Sequence, residues 1–434
     1  MDWQKTYSKK LTSPEEAVSI VKNGDRVYGG QAAAIPGALV SALAARAKDL
    51  RGVTFITALS LRPNAVMKPE HQGNISTLSY FMGPQERALD SAVGGAASVN
   101  FNHLDFWIRE IARPDIAFLE VTPPDEYGFF NLGNVNTCMI EDIMQVNPKI
   151  IVQVNKHVPY VYASHAFMHI NDVAAIVEYD EPMPVLPNTK PTDIERTIAE
   201  HIIDMIPNGA CIQIGLGGIG NAVGYSLEHK KDLGAHTEMS TDSMIYLAKK
   251  GVINCSKKNF LKGKFVAAMN LGSQEMYDFI NRNPLFYSMA LSRVTNEFYV
   301  AQNDNMISIN NALAVDLTGQ VCAETLGHAR MSTTGGQLGF VRGAVRSKGG
   351  KSFILLSSTA ETKNGKVSRI NVSLNPGMIV TTPRSDVQYV GTEYGCVNLF
   401  GQPPDKRAKL MISIAHPDFR EQLSEEARKY GLLK

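Results

Sequence analysis

Between residues 192 and 206 isoleucines recur every four residues, at 194, 198, 202 and 206. Four-residue spacing places these side chains on one face of a helix, the pattern of an amphipathic helix packed on a core. Thr192 and Glu195 predict a capping box at its start, and Pro207-Asn208-Gly209 predicts its end. A second pattern is the short continuous apolar run. Ile150-Ile151-Val152-Gln153-Val154 and Phe353-Ile354-Leu355-Leu356 lie between polar turns, as strands buried on both faces of a parallel sheet would.

The two patterns alternate, and one arrangement occurs twice. Asn23-Gly24-Asp25-Arg26-Val27-Tyr28-Gly29-Gly30 precedes Ala38-Leu39-Val40-Ser41-Ala42-Leu43. Asn208-Gly209-Ala210-Cys211-Ile212-Gln213-Ile214-Gly215 precedes Ala222-Val223-Gly224-Tyr225-Ser226-Leu227. Each reads as a turn, a buried strand, a glycine loop and a helix. We expect an α/β fold of two tandem, related domains with mainly parallel sheets. The polar, proline-bracketed stretch Leu186-Pro187-Asn188-Thr189-Lys190-Pro191 sets their limits at 1–186 and 187–434.

Composition narrows the function classes. Lys and Arg number 43 against 42 Asp and Glu, so no overall field draws in nucleic acid or a membrane surface. The five cysteines are dispersed and include no C-x-x-C, and the ten histidines show no ligand spacing such as H-E-x-x-H. Reduced thiols and no metal are expected. The N-terminal residues lack a signal-peptide core and no apolar run approaches a membrane span, so the expected location is cytoplasmic.

The candidate chemistry lies in the second half. Gly215-Leu216-Gly217-Gly218-Ile219-Gly220 is followed, eighteen residues after Gly220, by Glu238. A glycine loop brings backbone N–H groups close to an anion or oxyanion, and a carboxylate can attack an activated carbonyl. The same residues satisfy G-x-G-x-x-G with an acid about 20 residues on, the fingerprint of a dinucleotide site. A dinucleotide site needs a second apolar strand leading to the acid. Lys231-Asp232-Leu233-Gly234-Ala235-His236-Thr237 is polar and does not read as one. A third reading makes the glycines a tight strand-to-helix turn and Glu238 an exposed surface residue.

The strings Gln213–Val223 and Lys231–Met239 resemble the acetyl-CoA hydrolase/transferase family of coenzyme A transferases. So do Thr122–Gly128, Gly335–Ala344, Thr392–Gly395 and Ile414–Arg420, in the same order along nearly the whole chain. The resemblance is greatest to the 4-hydroxybutyrate and butyryl-CoA:acetate transferases. It implies that Glu238 is a nucleophile that becomes a glutamyl-CoA thioester. It implies CoA contacts from Gln213, Gly215, Leu216, Gly217, Gly218, Ile219, Asn310, Gly336 and Lys351, and an acid-binding role for Gln31. Coenzyme A is then a substrate, with no tightly bound cofactor, and an even-numbered homo-oligomer is expected. Gly335 and Gly336 are candidate oxyanion donors, because glycine lets backbone approach closely.

Such chemistry moves a thioester between carboxylates by ping-pong exchange, and a carboxylate ionised at pH 7 needs no general base. An acetyl-CoA hydrolase with the same site, a nicotinamide-dependent dehydrogenase and a non-catalytic CoA binder are the alternatives. Two departures stand out. Relatives often carry Asp where this chain has Gly339, and some carry His where it has Gln31. Glu393 is the rival nucleophile, read first as a structural acceptor. His236 is read as holding its loop by a local hydrogen bond.

Overall fold

The computed structural model describes residues 3–90, 95–363 and 365–434. The chain divides into two compact units, 1–187 with 267–293, and 188–266 with 294–434. Both are mixed α/β units built on mostly parallel sheet.

In the first unit β1 (Arg26–Gln31), β2 (Val53–Ala58), β3 (Ile75–Ser79), β4 (Gly95–Ala96), β5 (Ile116–Val121), β6 (Lys149–Val154) and β7 (Ala175–Glu178) form one sheet. Their order is β4-β3-β2-β1-β5-β6-β7 and every neighbouring pair is parallel. The apolar run at 150–154 thus becomes β6, flanked on both sides, which explains its lack of alternation. Helix α1 (Gly37–Ala45) lays Leu39, Val40 and Leu43 into a core with Val27, Phe55, Phe118 and Ile151. Burying each large apolar side chain contributes about 1.5–3 kcal/mol.

The second unit repeats the plan. Its strands are β8 (Cys211–Ile214), β9 (Gly234–Ser240), β10 (Met306–Asn311), β11 (Lys351–Leu355), β12 (Tyr389–Thr392) and β13 (Gly395–Asn398). They lie in the order β9-β8-β10-β11-β12-β13, parallel but for the closing hairpin. The matching Asn-Gly turns are equivalent in atomic detail. Asn23 Oδ1 accepts from Arg51 N–H at 2.8 Å, and Asn208 Oδ1 accepts from Lys231 N–H at 2.8 Å. Gly24 and Gly209 take φ of 83° and 74°, where only glycine is unstrained.

Helix α2 (Asp193–Ile203) starts with the full reciprocal capping box of Thr192 and Glu195. Ile198, Ile202 and Ile206 are buried, whereas Ile194 is 50% exposed. The apolar face therefore starts one turn later than its sequence pattern indicates, and Ile206 lies beyond the helix end. Among the described residues no helix is long and apolar enough to cross a membrane.

Candidate active site

The carboxyl ends of β8, β9 and β10 meet where strand order reverses, β8 lying between its sequence neighbour β9 and the later β10. Open α/β sheets bind ligands at such a switch point. The Gly215 loop leaves β8 there and runs into helix α3 (Gly218–Ser226). Gly215 N–H donates to Ile309 O at 2.8 Å, tying the loop to β10. Gly217 adopts φ 122°, and a Cβ at Gly220 would overlap the Gly215 carbonyl. These glycines therefore fold the first helical turn onto the loop. Leu216 is left 44% exposed.

Residues 234–240, which look like a poor strand in the sequence, form β9. The polar side chains are accommodated one by one. His236 is fully buried with Nε2 at 2.9 Å from Val294 O, against the rings of Phe260 and Phe340. Burial, helped by the positive charge of Lys258, holds its pKa down at about 3, so it is neutral. Thr237 Oγ1 donates to Met239 O at 2.9 Å. His236 Nε2 and Thr237 Oγ1 are paired in this way, whereas the buried His236 Nδ1 has no hydrogen-bond partner among the described residues.

Glu238 is on β9, partly buried. Gly336 N–H donates to its carboxyl, and a Cβ at Gly336 would overlap that carboxyl and come within 2.7 Å of Thr295 Cγ2. Only glycine fits this approach. Burial pushes the Glu238 pKa up to about 7 and the Gly336 N–H opposes the rise. The folded surroundings thus set Glu238 apart from an ordinary carboxylate, whose pKa lies well below neutrality. Gly335, with φ 65°, turns the chain so that Gly336 caps helix α4 (Gln337–Arg346).

Gln213 and Asn310 come together beneath the loop. Gln213 Oε1 accepts from Ser308 Oγ at 2.8 Å and Asn310 Nδ2 at 3.3 Å, and Asn310 Nδ2 donates to Ser308 Oγ at 2.8 Å. Ser308 was missed in the sequence, although polar residues two apart in the run Met306-Ile307-Ser308-Ile309-Asn310 mark one sheet face. Lys351 is not brought to this place. It opens β11, paired with Ile307, four residues or roughly 13 Å before the carboxyl edge.

Glu393 accepts from Ser358 N–H at 2.9 Å and Ser358 Oγ at 2.5 Å, and so anchors the loop after β11. At Gly339 a Cβ would overlap the Thr295 carbonyl, so backbone occupies the space that any side chain here would need. In the first unit, Gln31 ends β1 and is buried. Tyr80 OH donates to its Oε1, and its Nε2 donates to Cys138 Sγ at 2.6 Å. Among the described residues no group of three His, Cys, Asp or Glu side chains is arranged to hold a metal.

The dinucleotide reading asks for an acid free at the end of a strand, whereas the Glu238 carboxyl is engaged by Gly336; the dehydrogenase alternative finds no support. Models of the acetyl-CoA hydrolase/transferase N-terminal and C-terminal domains match residues 1–187 and 272–427. The 4-hydroxybutyrate coenzyme A transferase of Clostridium kluyveri is 37% identical over 99% of this chain and 100% of its own length. The butyryl-CoA:acetate CoA-transferase of Anaerostipes caccae is 38% identical over 99% of this chain and 98% of its own. The crystal structure of RipA from Yersinia pestis superposes with a TM-score of 0.94 at 36% identity, over 100% of both chains. The chain belongs to the acetyl-CoA hydrolase/transferase family, and its likeness to named CoA-transferases runs its full length.

Proposed function

We propose that the protein exchanges coenzyme A between a short-chain acyl-CoA and a free carboxylate, with Glu238 as the covalent carrier. The observation that supports this most is the Glu238 carboxyl held by the Gly336 N–H, beside a glycine loop at the carboxyl edge of the sheet. The substrates follow the relatives: acetate, butyrate or 4-hydroxybutyrate, with acetyl-CoA or butyryl-CoA as donor.

Ionised Glu238 attacks the acyl-CoA carbonyl, giving a mixed anhydride and the CoA thiolate. The thiolate attacks the glutamyl carbonyl, releasing the first acid and leaving Glu238 as a CoA thioester. The incoming carboxylate attacks that thioester, and the freed thiolate then takes up the new acyl group. The glutamyl oxygen that accepts from Gly336 gains charge whenever that carbon becomes tetrahedral. The same N–H therefore serves as an oxyanion donor without rearrangement. The glycine loop, from Gly215 to Ile219, holds the CoA arm, whose binding energy is used to orient the reacting carbonyl.

Replacement of the nucleophile tests this reading. Glu238→Ala abolishes exchange between butyryl-CoA and acetate while CoA binding persists. Glu238→Asp is also severe, since one methylene less misplaces the attacking oxygen. Exchange retained in either variant would move the nucleophile elsewhere. Butyryl-CoA consumed by the wild type over many turnovers, well beyond one equivalent and without acceptor acid, would make the protein a hydrolase instead.

A further inference from the structure

Asn311, one residue past Asn310, ends β10 between the two loops of the site. Its Nδ2 donates to Leu216 O at 2.7 Å, at the tip of the glycine loop, and would lie 3.1 Å from a Cβ at Gly217. Its backbone carbonyl accepts from Gln337 Nε2 at 3.0 Å. Gln337 directly follows Gly336, and its Oε1 is fixed by Thr382 Oγ1 at 2.9 Å. A continuous tie thus runs from Leu216 through Asn311 to Gln337 and the residue that touches Glu238.

The Asn311 side chain is not explained by local stability. Its Oδ1 is buried and has no hydrogen-bond partner among the described residues. A buried carbonyl left unpaired is unfavourable, and a smaller side chain there would avoid it. Costs of this kind are retained where a group serves function.

We infer that Asn311 is a positioning residue that couples the CoA-arm loop to the catalytic Gly335-Gly336 turn. This rests on the transferase reading above and adds to it a route by which arm binding becomes turnover. Gripping the arm at Leu216 holds Asn311, and through it Gln337, in the register that aims Gly336 at the glutamyl oxygen. The residue touches neither reacting carbonyl nor thiolate; it acts through Leu216 and Gln337.

Two thioesters separate this role from a merely structural one: butyryl-CoA, and butyryl-N-acetylcysteamine, which keeps the thioester and lacks most of the arm. The readout is the single-turnover rate of Glu238 thioester formation in full-length protein. In Asn311→Ala the rate with butyryl-CoA falls roughly 10- to 100-fold, the size expected of a small misplacement. The rate with the short thioester falls far less, so the advantage of the full arm collapses. Gln337→Ala gives the same pattern, and the double variant loses less than the product of the single losses because both cut one tie. Equal losses with both thioesters, or an undiminished rate with butyryl-CoA, overturn the coupling. No Glu238 thioester from either substrate in the wild-type protein overturns the transferase reading, and the coupling with it.

Discussion

The two units start alike and finish differently. Each opens with the same Asn-Gly turn, bonded through Asn23 in one and Asn208 in the other, and each passes through a short buried strand to a helix. In the first unit side chains close the helix start. Gly37 N–H donates to Glu181 Oε1 and Ala38 N–H to Gln153 Oε1, both at 3.0 Å. The strand end is filled by Gln31, with Tyr80 and Cys138 as partners. In the second unit no side chain among the described residues caps the start of α3, and the carboxyl of Glu195 packs beside Gly218 while bonding to Thr192. The loop is glycine and largely surface. One backbone unit thus serves as a sealed joint where polar side chains satisfy it, and as a candidate binding loop where glycine leaves the backbone uncovered.

Breaking the second unit should have the larger effect on activity. Gly336→Ala puts a methyl into the Glu238 carboxyl and disturbs the N–H bound to it. Turnover is expected to fall about 100- to 1,000-fold, as for loss of an oxyanion donor, with the circular dichroism spectrum unchanged. A rate within a few-fold of wild type would remove Gly336 from the chemistry.

A milder effect comes from pH. The Glu238 pKa is raised to about 7 by burial, and only the deprotonated form attacks. Thioester formation should therefore be near its plateau above pH 8 and fall with decreasing pH through 7, approaching about tenfold per unit. A profile flat from pH 5 to 8 would place the ionisation elsewhere.

The smallest effect on activity belongs to the first unit. Glu181→Ala removes the acceptor at the start of α1 and one carboxylate near Arg62, 3.3 Å away. It should cost about 1–2 kcal/mol of stability, read as a lower thermal midpoint, with exchange near wild type. A large loss of exchange at unchanged stability would mean that the sealed joint is part of the reaction.

The sequence carried those features set by local rules. The Thr192–Glu195 box, the Asn-Gly turns and the buried run at 150–154 follow from neighbouring residues alone. Features that depend on distant partners were less visible. Strand β9 looked like a loop because His236 finds its acceptor at Val294, 58 residues away. Asn311 carried no motif and Gln337 stood only within the Gly335–Ala344 string, and their tie exists only once β10 and α4 are side by side. Lys351 looked like a CoA contact in the sequence, but sheet direction puts it at the amino end of β11. The Glu238 carboxylate itself was legible through resemblance, whereas its raised pKa is a property of the folded surroundings.

The central claim is a covalent carrier at Glu238. Intact-protein mass spectrometry after incubation with butyryl-CoA and no acceptor, followed by peptide mapping, tests it most directly. The account predicts a CoA adduct on the peptide holding Glu238, discharged by acetate. Exchange with acetate that proceeds without any adduct there would contradict it.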